Sequence, residues 1–376
     1  MTSIEVLFYI LSCVINGSAL RPERLTGLAP SVWQEVYELA SRQGLTAVCF
    51  EPIKNLPLEV TPPREVTLKW LRHAMKVEKV MKQKASVSRE FATLIHNKGL
   101  ELMVLKGMAV ADYYPQPYHR EFGDLDCYVY KRLDASCATN PHNGNISWSD
   151  GFERTNEVAK ETGAKVECGH YKHSHIFYKG LEVENHCFSL PVRDSDNMKA
   201  LERHLRRIVE KEPPIPIGDS YLLKPSPTFN ALFLTAHAMT HFLYERIHLR
   251  HVMDWALFVS AEKDNIDWDD FNYWSRLMHY DRFVECLNVI CNERLGCSFP
   301  VTGSSAVKAL AGRVLDDIFT HDTLYNKGFG RFRIRWELLR GLWNNRWKFT
   351  SVYQHSLTYV AGSLLKGVLL DRKPQL

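Results

Sequence analysis

The chain has 376 residues, 45% hydrophobic and 24% charged, which excludes a disordered chain or a small disulfide scaffold and leaves room for two or three compact units. Lys and Arg number 47 against 43 Asp and Glu; a formal net charge of +4 is too small to bind a polyanion by bulk charge, so any electrostatic function is local. The nine cysteines are scattered and odd in number, with no CxxC pair and no Cys-His cluster of zinc spacing, and they read as reduced, mostly buried thiols.

The apolar run from Val6 to Ile15 follows Glu5, has no Lys or Arg before it, and falls well short of the roughly 20 residues of a membrane-spanning helix. An amphipathic or buried helix in a cytoplasmic protein is expected. Trp33, Val36, Tyr37 and Ala40 recur at helical spacing, with Ser31 as a cap and Gly44 as a stop. Prolines between Pro52 and Pro63 interrupt the pattern before a second helical run from Arg64 to Gly99, whose mixed charges suit a solvated face. Residues 1–84 are read as a helical N-terminal region.

At Glu101 the periodicity changes. ELMVLKG is a short apolar run ending in Lys106-Gly107, MAVADYY has helix-forming composition, and LDCYVY is a second β-rich run opened by Gly123 and Asp124. SDGFERTNEVAKETG reads as a helix; AKVECG, HSHIFYK and LEVENHCF read as strands, with a hairpin turn at Lys179-Gly180. Residues 85–190 therefore form a small mixed α/β unit. Five prolines between Pro213 and Pro227 mark residues 191–227 as a linker, and residues 228–376 are again helical, ending in a basic, aromatic segment.

Asp124-Leu125-Asp126 carries the chemistry, because alternate strand residues project to one face about 6.5 to 7 Å apart and two carboxylates so placed can clamp a divalent metal. A third carboxylate is available from Glu184 or Glu182 on the later strand, where Glu182, Glu184 and His186 share a face. Converging acidic groups repel unless cations neutralise them, and hard oxygen ligands favour Mg2+ or Mn2+ over zinc. Two such ions can bind a nucleotide's phosphates and stabilise a leaving pyrophosphate. A lone DxD also fits an ordinary solvated turn. The preceding strand-to-helix turn adds context: Gly107 lets backbone come close to phosphate, and Lys106 and Arg120 supply charge from either side.

VLKGMAVADYYPQPYHREFGDLDCYV, from Val104 to Val129, and VENHCF, from Val183 to Phe188, resemble the nucleotidyltransferase superfamily to which DNA polymerase beta belongs, and within it a family of uncharacterised nucleotidyltransferases. HAMTHFLYERIHLRHVMDWALF is similar to that family's segment downstream of the core. The resemblance implies an α+β fold, a nucleotidyltransferase mixed-sheet core between helical N-terminal and C-terminal regions. It implies that Gly107 stands in the nucleotide-binding turn, that Asp124 and Asp126 hold metal, and that Glu184 is the third carboxylate, helping to activate the attacking hydroxyl. The superfamily's usual Gly-Ser or Gly-Gly turn is Gly107-Met108 here, so phosphate grip rests on Lys106 and backbone. The implied activity is Mg2+-dependent (or Mn2+-dependent) transfer of a nucleoside monophosphate from a nucleoside triphosphate to an unidentified acceptor hydroxyl or phosphate. A non-catalytic nucleotide-binding or scaffold protein of the same fold is the alternative.

Three further groups stand out. His237 and His241 lie four apart on one helical face, with His248, His251 and Asp254 downstream; the glutamate of the HExxH pattern is absent, since Ala238 occupies its place. They suit a polar face against the cleft, a structural role, or a second metal site. His173 and His175 in HYKHSH suit an exposed strand edge or a metal. In the C-terminal segment, arginines alternate with Trp336, Trp343 and Trp347. That mixture suits a packed helix with solvated arginines, a peripheral membrane contact, or nucleic acid.

Overall fold

The structure, a computed structural model, describes residues 1–132, 146–192, 195–320 and 343–356. Helix α1 (Ser3–Ile15) starts at a reciprocal cap: Glu5 N–H donates to Thr2 Oγ1, and Thr2 N–H donates to the Glu5 carboxylate at 2.8 Å. Its apolar face is buried among helices. Helices α2 (Pro30–Arg42) and α3 (Thr46–Ile53) follow, turned by Gly44 at a φ of +67° that favours glycine. Helix α4 (Arg64–His96) runs 33 residues, and its buried stripe through Trp70, Val77, Met81, Ala85 and Phe91 passes the expected boundary at residue 84 without a break. One helix thus belongs to both the N-terminal region and the core.

The core alternates as its sequence periodicity suggests. Strand β1 (Glu101–Val104) leads to α5 (Met108–Ala111), and then come β2 (Leu125–Arg132), β3 (Ile146–Ser147), α6 (Trp148–Glu161), β4 (Lys165–Glu167), β5 (His173–Tyr178) and β6 (Leu181–His186). Lys179 and Gly180 both have positive φ in the β5–β6 hairpin turn. The first six residues of β2 are buried, because α6 packs against this strand and α4 covers its neighbours β1 and β6.

Residues 191–227 are not a bare linker. They hold α7 (Asp196–Lys211), β7 (Ile215–Pro216) and β8 (Leu222–Lys224), and β8 pairs in parallel with β1. The strand order is β4-β5-β6-β2-β1-β8-β7, with β3 paired to β2. Proline punctuates this stretch without loosening it, because Pro216 stands on β7, the two-residue strand at the sheet edge. The same order corrects the reading of HYKHSH as an exposed edge: β5 lies between β4 and β6. Helices on a mixed sheet make the fold α+β, consistent with a nucleotidyltransferase fold.

Helices α8 (Pro227–Tyr244), α9 (Leu249–Glu262), α10 (Trp268–Leu277), α11 (Asp281–Leu295) and α12 (Ser305–Phe319) follow among the described residues, with a helical turn at Lys348–Val352. They join the N-terminal helices directly. The Ser12 hydroxyl donates to Leu295 O at 3.0 Å, and the buried Gln43 amide accepts from Leu249 N–H at 2.6 Å while donating to Ile318 O at 3.1 Å. Of the basic C-terminal segment, Arg331 to Arg340 lie outside the described residues. Trp347 packs on Phe242, and buried Lys348 pairs with Asp317 at 2.6 Å, so this part of the segment is packed inward while Trp343 is exposed. Among the described residues no helix is long and apolar enough to cross a membrane.

Candidate active site

Strand pairing assembles the acidic groups. Strands β2 and β6 run parallel with Asp126 opposite Glu184 and Tyr128 opposite His186, so the two carboxylates lie side by side on the sheet. Asp124 stands one residue before β2, at the mouth. Leu105 N–H donates to Asp126 O at 3.0 Å across the β1–β2 pair, which keeps the following Lys106 beside the carboxylate. Lys106 Nζ lies 3.1 Å from Asp126 Oδ2. His186 Nε2 lies 3.1 Å from Asp126 Oδ1 and 3.3 Å from Glu184 Oε2, and between two carboxylate oxygens it can only donate. Glu182, two residues earlier, instead meets His175 Nδ1 at 2.9 Å. The strand register thus separates the two glutamates that alternation left equivalent.

Charge in the site is balanced from within. Burial works against the Asp126 carboxylate, but Lys106 and then His186 overcome it and hold the carboxyl well below its ordinary range. Glu184 behaves likewise: burial raises it, and the His186 hydrogen bond and charge bring it below the usual value. Asp124 has no such partner at hydrogen-bond distance, and burial followed by its neighbour Asp126 pushes it up. Lys106 is lowered by burial but raised more by Asp126 and Asp124.

Gly107 turns the chain between β1 and α5 at a φ of +62°, and a Cβ there would lie 3.3 Å from Phe122 Cβ. The turn therefore favours glycine for its conformation, and a side chain there would also crowd Phe122. Helix α5 has four residues, too short for a substantial dipole, so an anion here would meet backbone and Lys106.

Arg120 lines the same cleft as Asp124 and Asp126, and its guanidinium is buried and forked onto Asp254 of α9, with Nε at 3.1 Å from Oδ1 and Nη2 at 2.6 Å from Oδ2, while Nη1 donates to Glu121 O. The Tyr114 hydroxyl donates to the same Asp254 at 2.7 Å. This network ties the segment before the DxD to the helical domain. Lys84 of α4 does similar work from the other side, donating to the carbonyls of Phe122 and Gly123. Sequence reading missed Lys84 and the role of Asp254 because each acts over long sequence separation, without a local pattern.

A cleft of about 220 Å³ runs between the two parts. Lys106, Gly107, Asp124 and Asp126 line one wall; His237 and His241 of α8 and Arg250 and His251 of α9 line the other. Burial pushes both His237 and His251 well below the ordinary imidazole range, so they are neutral at pH 7. His170, His173 and His175 lie behind Glu184, with the His173 and His186 rings 5.1 Å apart. Burial lowers His173 to about 4, although Glu184 opposes the shift.

A family described as uncharacterised nucleotidyltransferase matches residues 29–140 and 146–296. The chain belongs to this family. No curated protein and no solved structure matches the chain. The match spans α2 to α11 and includes the DxD, Glu184 and both histidine-bearing helices. Membership in this nucleotidyltransferase family supports nucleotidyl transfer as the chemistry. Nucleotidyltransferases generally use divalent metal ions, and the donors here suit one: oxygens of Asp126 and Glu184 lie within 4.8 Å of one another, and their charge is met in this structure by Lys106 and His186.

Proposed function

We propose that the protein transfers a nucleoside monophosphate from a nucleoside triphosphate to an acceptor hydroxyl or phosphate, with Mg2+ or Mn2+ held by Asp124, Asp126 and Glu184. The reading is carried by one observation: Asp126 and Glu184 face each other in register on parallel strands, one residue pair from the mouth where Asp124 stands. When bound, such an ion would neutralise the triphosphate and the charge on the departing pyrophosphate.

Each side chain has a role that follows from its surroundings. Lys106, paired with Asp126 beside the Gly107 turn, turns its ammonium to the phosphates, and Gly107 lets backbone approach them. Glu184, held ionised by His186, accepts the proton as the acceptor oxygen attacks the α-phosphorus; the bond to pyrophosphate breaks as the new P–O bond forms. His186 orients both carboxylates without entering the reaction. Arg120 and Lys84 hold the Glu121–Asp124 turn so that the carboxylates meet the substrate in one geometry, which is where positional catalysis gains most.

Asp126→Asn keeps the shape and removes the charge. In this variant Mg2+-dependent pyrophosphate release from nucleoside triphosphates, assayed with cell extract as the acceptor source, should fall at least about a hundredfold while far-UV circular dichroism is unchanged. Unchanged release would sink the assignment. Nucleotide binding with no pyrophosphate release for any acceptor would instead support the non-catalytic alternative.

A further inference from the structure

Helix α8 projects His237 and His241 from one face, four residues apart, and α9 brings His251 against them. The ring centroids of His237 and His241 are 4.4 Å apart and those of His241 and His251 5.6 Å, and one ligand nitrogen from each of the three lies within 4.8 Å of the other two. We propose that these three imidazoles form a second metal site, for a divalent transition ion of the zinc class, on the helical wall of the cleft.

The surrounding groups carry the argument beyond proximity. His241 Nδ1 lies 2.7 Å from Glu245 Oε2; donating there, it leaves Nε2 as the ligand atom, the carboxylate-histidine arrangement that orients metal-binding imidazoles. His251 Nδ1 accepts from the His248 backbone N–H at 3.0 Å and also lies 3.2 Å from His248 O. Binding metal through Nε2 takes the other tautomer, in which Nδ1–H donates to that carbonyl and the His248 N–H bond is given up. Tetrahedral zinc with Zn–N bonds of about 2.0 to 2.1 Å places its nitrogens about 3.3 Å apart, so the rings close on the ion by small rotations. Three protein nitrogens leave a fourth position open, and all three histidines line the same cleft as Asp124 and Asp126. The donor chemistry separates the two walls: imidazole selects the zinc class, and the carboxylates opposite select Mg2+ or Mn2+. The open position suits a hydroxyl or anionic group of a molecule entering the cleft. This site stands independently of the proposed reaction.

Full-length protein stripped with chelator and titrated with Co2+ provides the test, because three nitrogens and a water around Co2+ give visible d–d absorption without any turnover. One equivalent of band per chain is expected, displaced by Zn2+. His241→Ala should abolish it. Glu245→Gln, on an exposed side chain that threatens folding less, should weaken Zn2+ competition about tenfold or more. Asp126→Asn should leave the band intact. No band in the unmodified protein, a band that survives His241→Ala, or one lost in Asp126→Asn would each overturn the proposal.

Discussion

Arg120 and Asp254 bring a cation and an anion into the protein interior, where neither is tolerable alone. Their paired geometry, completed by the Tyr114 hydroxyl, satisfies both. Asp254→Ala leaves a buried guanidinium without its counter-charge, and stability measured by urea denaturation should fall by about 3 to 5 kcal/mol. Replacing both partners by apolar residues, Arg120→Met with Asp254→Leu, should recover most of that loss. The pH dependence has a definite sign. Burial alone would raise the Asp254 carboxyl, but Arg120 outweighs it and leaves the folded value below the ordinary one. Its stabilisation is therefore complete above about pH 4, the unfolded value, and is lost as the pH falls through the lower folded value. Stability of Asp254→Asn, followed by denaturation between pH 5 and 2, should fall less steeply than that of the unmodified protein.

Elements hold the site through close approaches that no local pattern announces. Gly151, in the first turn of α6, lies so near β2 that a Cβ would stand 2.5 Å from Tyr130 Cα, with backbone on the receiving side. Nothing there can rotate away, so α6 itself must lift. Gly151→Ala should cost at least about 3 kcal/mol, the upper part of the overpacking range, visible as a lower denaturation midpoint. Asn156 on the same helix accepts from Ser174 of β5 and Asn185 of β6, so displacing α6 disturbs the strand that carries Glu184. Activity should then fall together with stability, in contrast to Asp126→Asn, where activity alone is lost. The turn before Asp124 is held from two helices, α4 through Lys84 and α9 through Asp254, which couples the site to helices that precede and follow the core in the chain.

At the scale of the molecule, the parts that the sequence divides into regions share their packing. Helix α4 passes from the N-terminal region into the core, β8 joins the sheet from beyond α7, and Gln43 bonds to both α9 and the end of α12. Phe8 of α1 meets Phe319 of α12, with ring centroids 6.0 Å apart. Among the described residues the buried apolar side chains of all these parts form one cluster. Tryptophan fluorescence and far-UV circular dichroism should report one coincident unfolding transition in urea. Two separated transitions would show that the helical and sheet parts fold independently.

Much of this architecture is legible without coordinates. Alternation in LDCYVY, HSHIFY and LEVENH marks strands, because side-chain direction in a strand is a local property; helical periodicity marks α2 and α4 for the same reason. The acidic faces of two strands follow from spacing alone. Their meeting does not. Whether Glu182 or Glu184 stands beside Asp126 depends on the register between strands more than fifty residues apart, and the engagement of Arg120 depends on a helix packed across the cleft. The proline-rich stretch after residue 190 shows the same limit, since composition records turns but not the sheet edge they feed. The sequence by itself determined which residues can share a face, through backbone periodicity; the tertiary structure decided which faces meet, because pairing and burial are set by contacts distant along the chain.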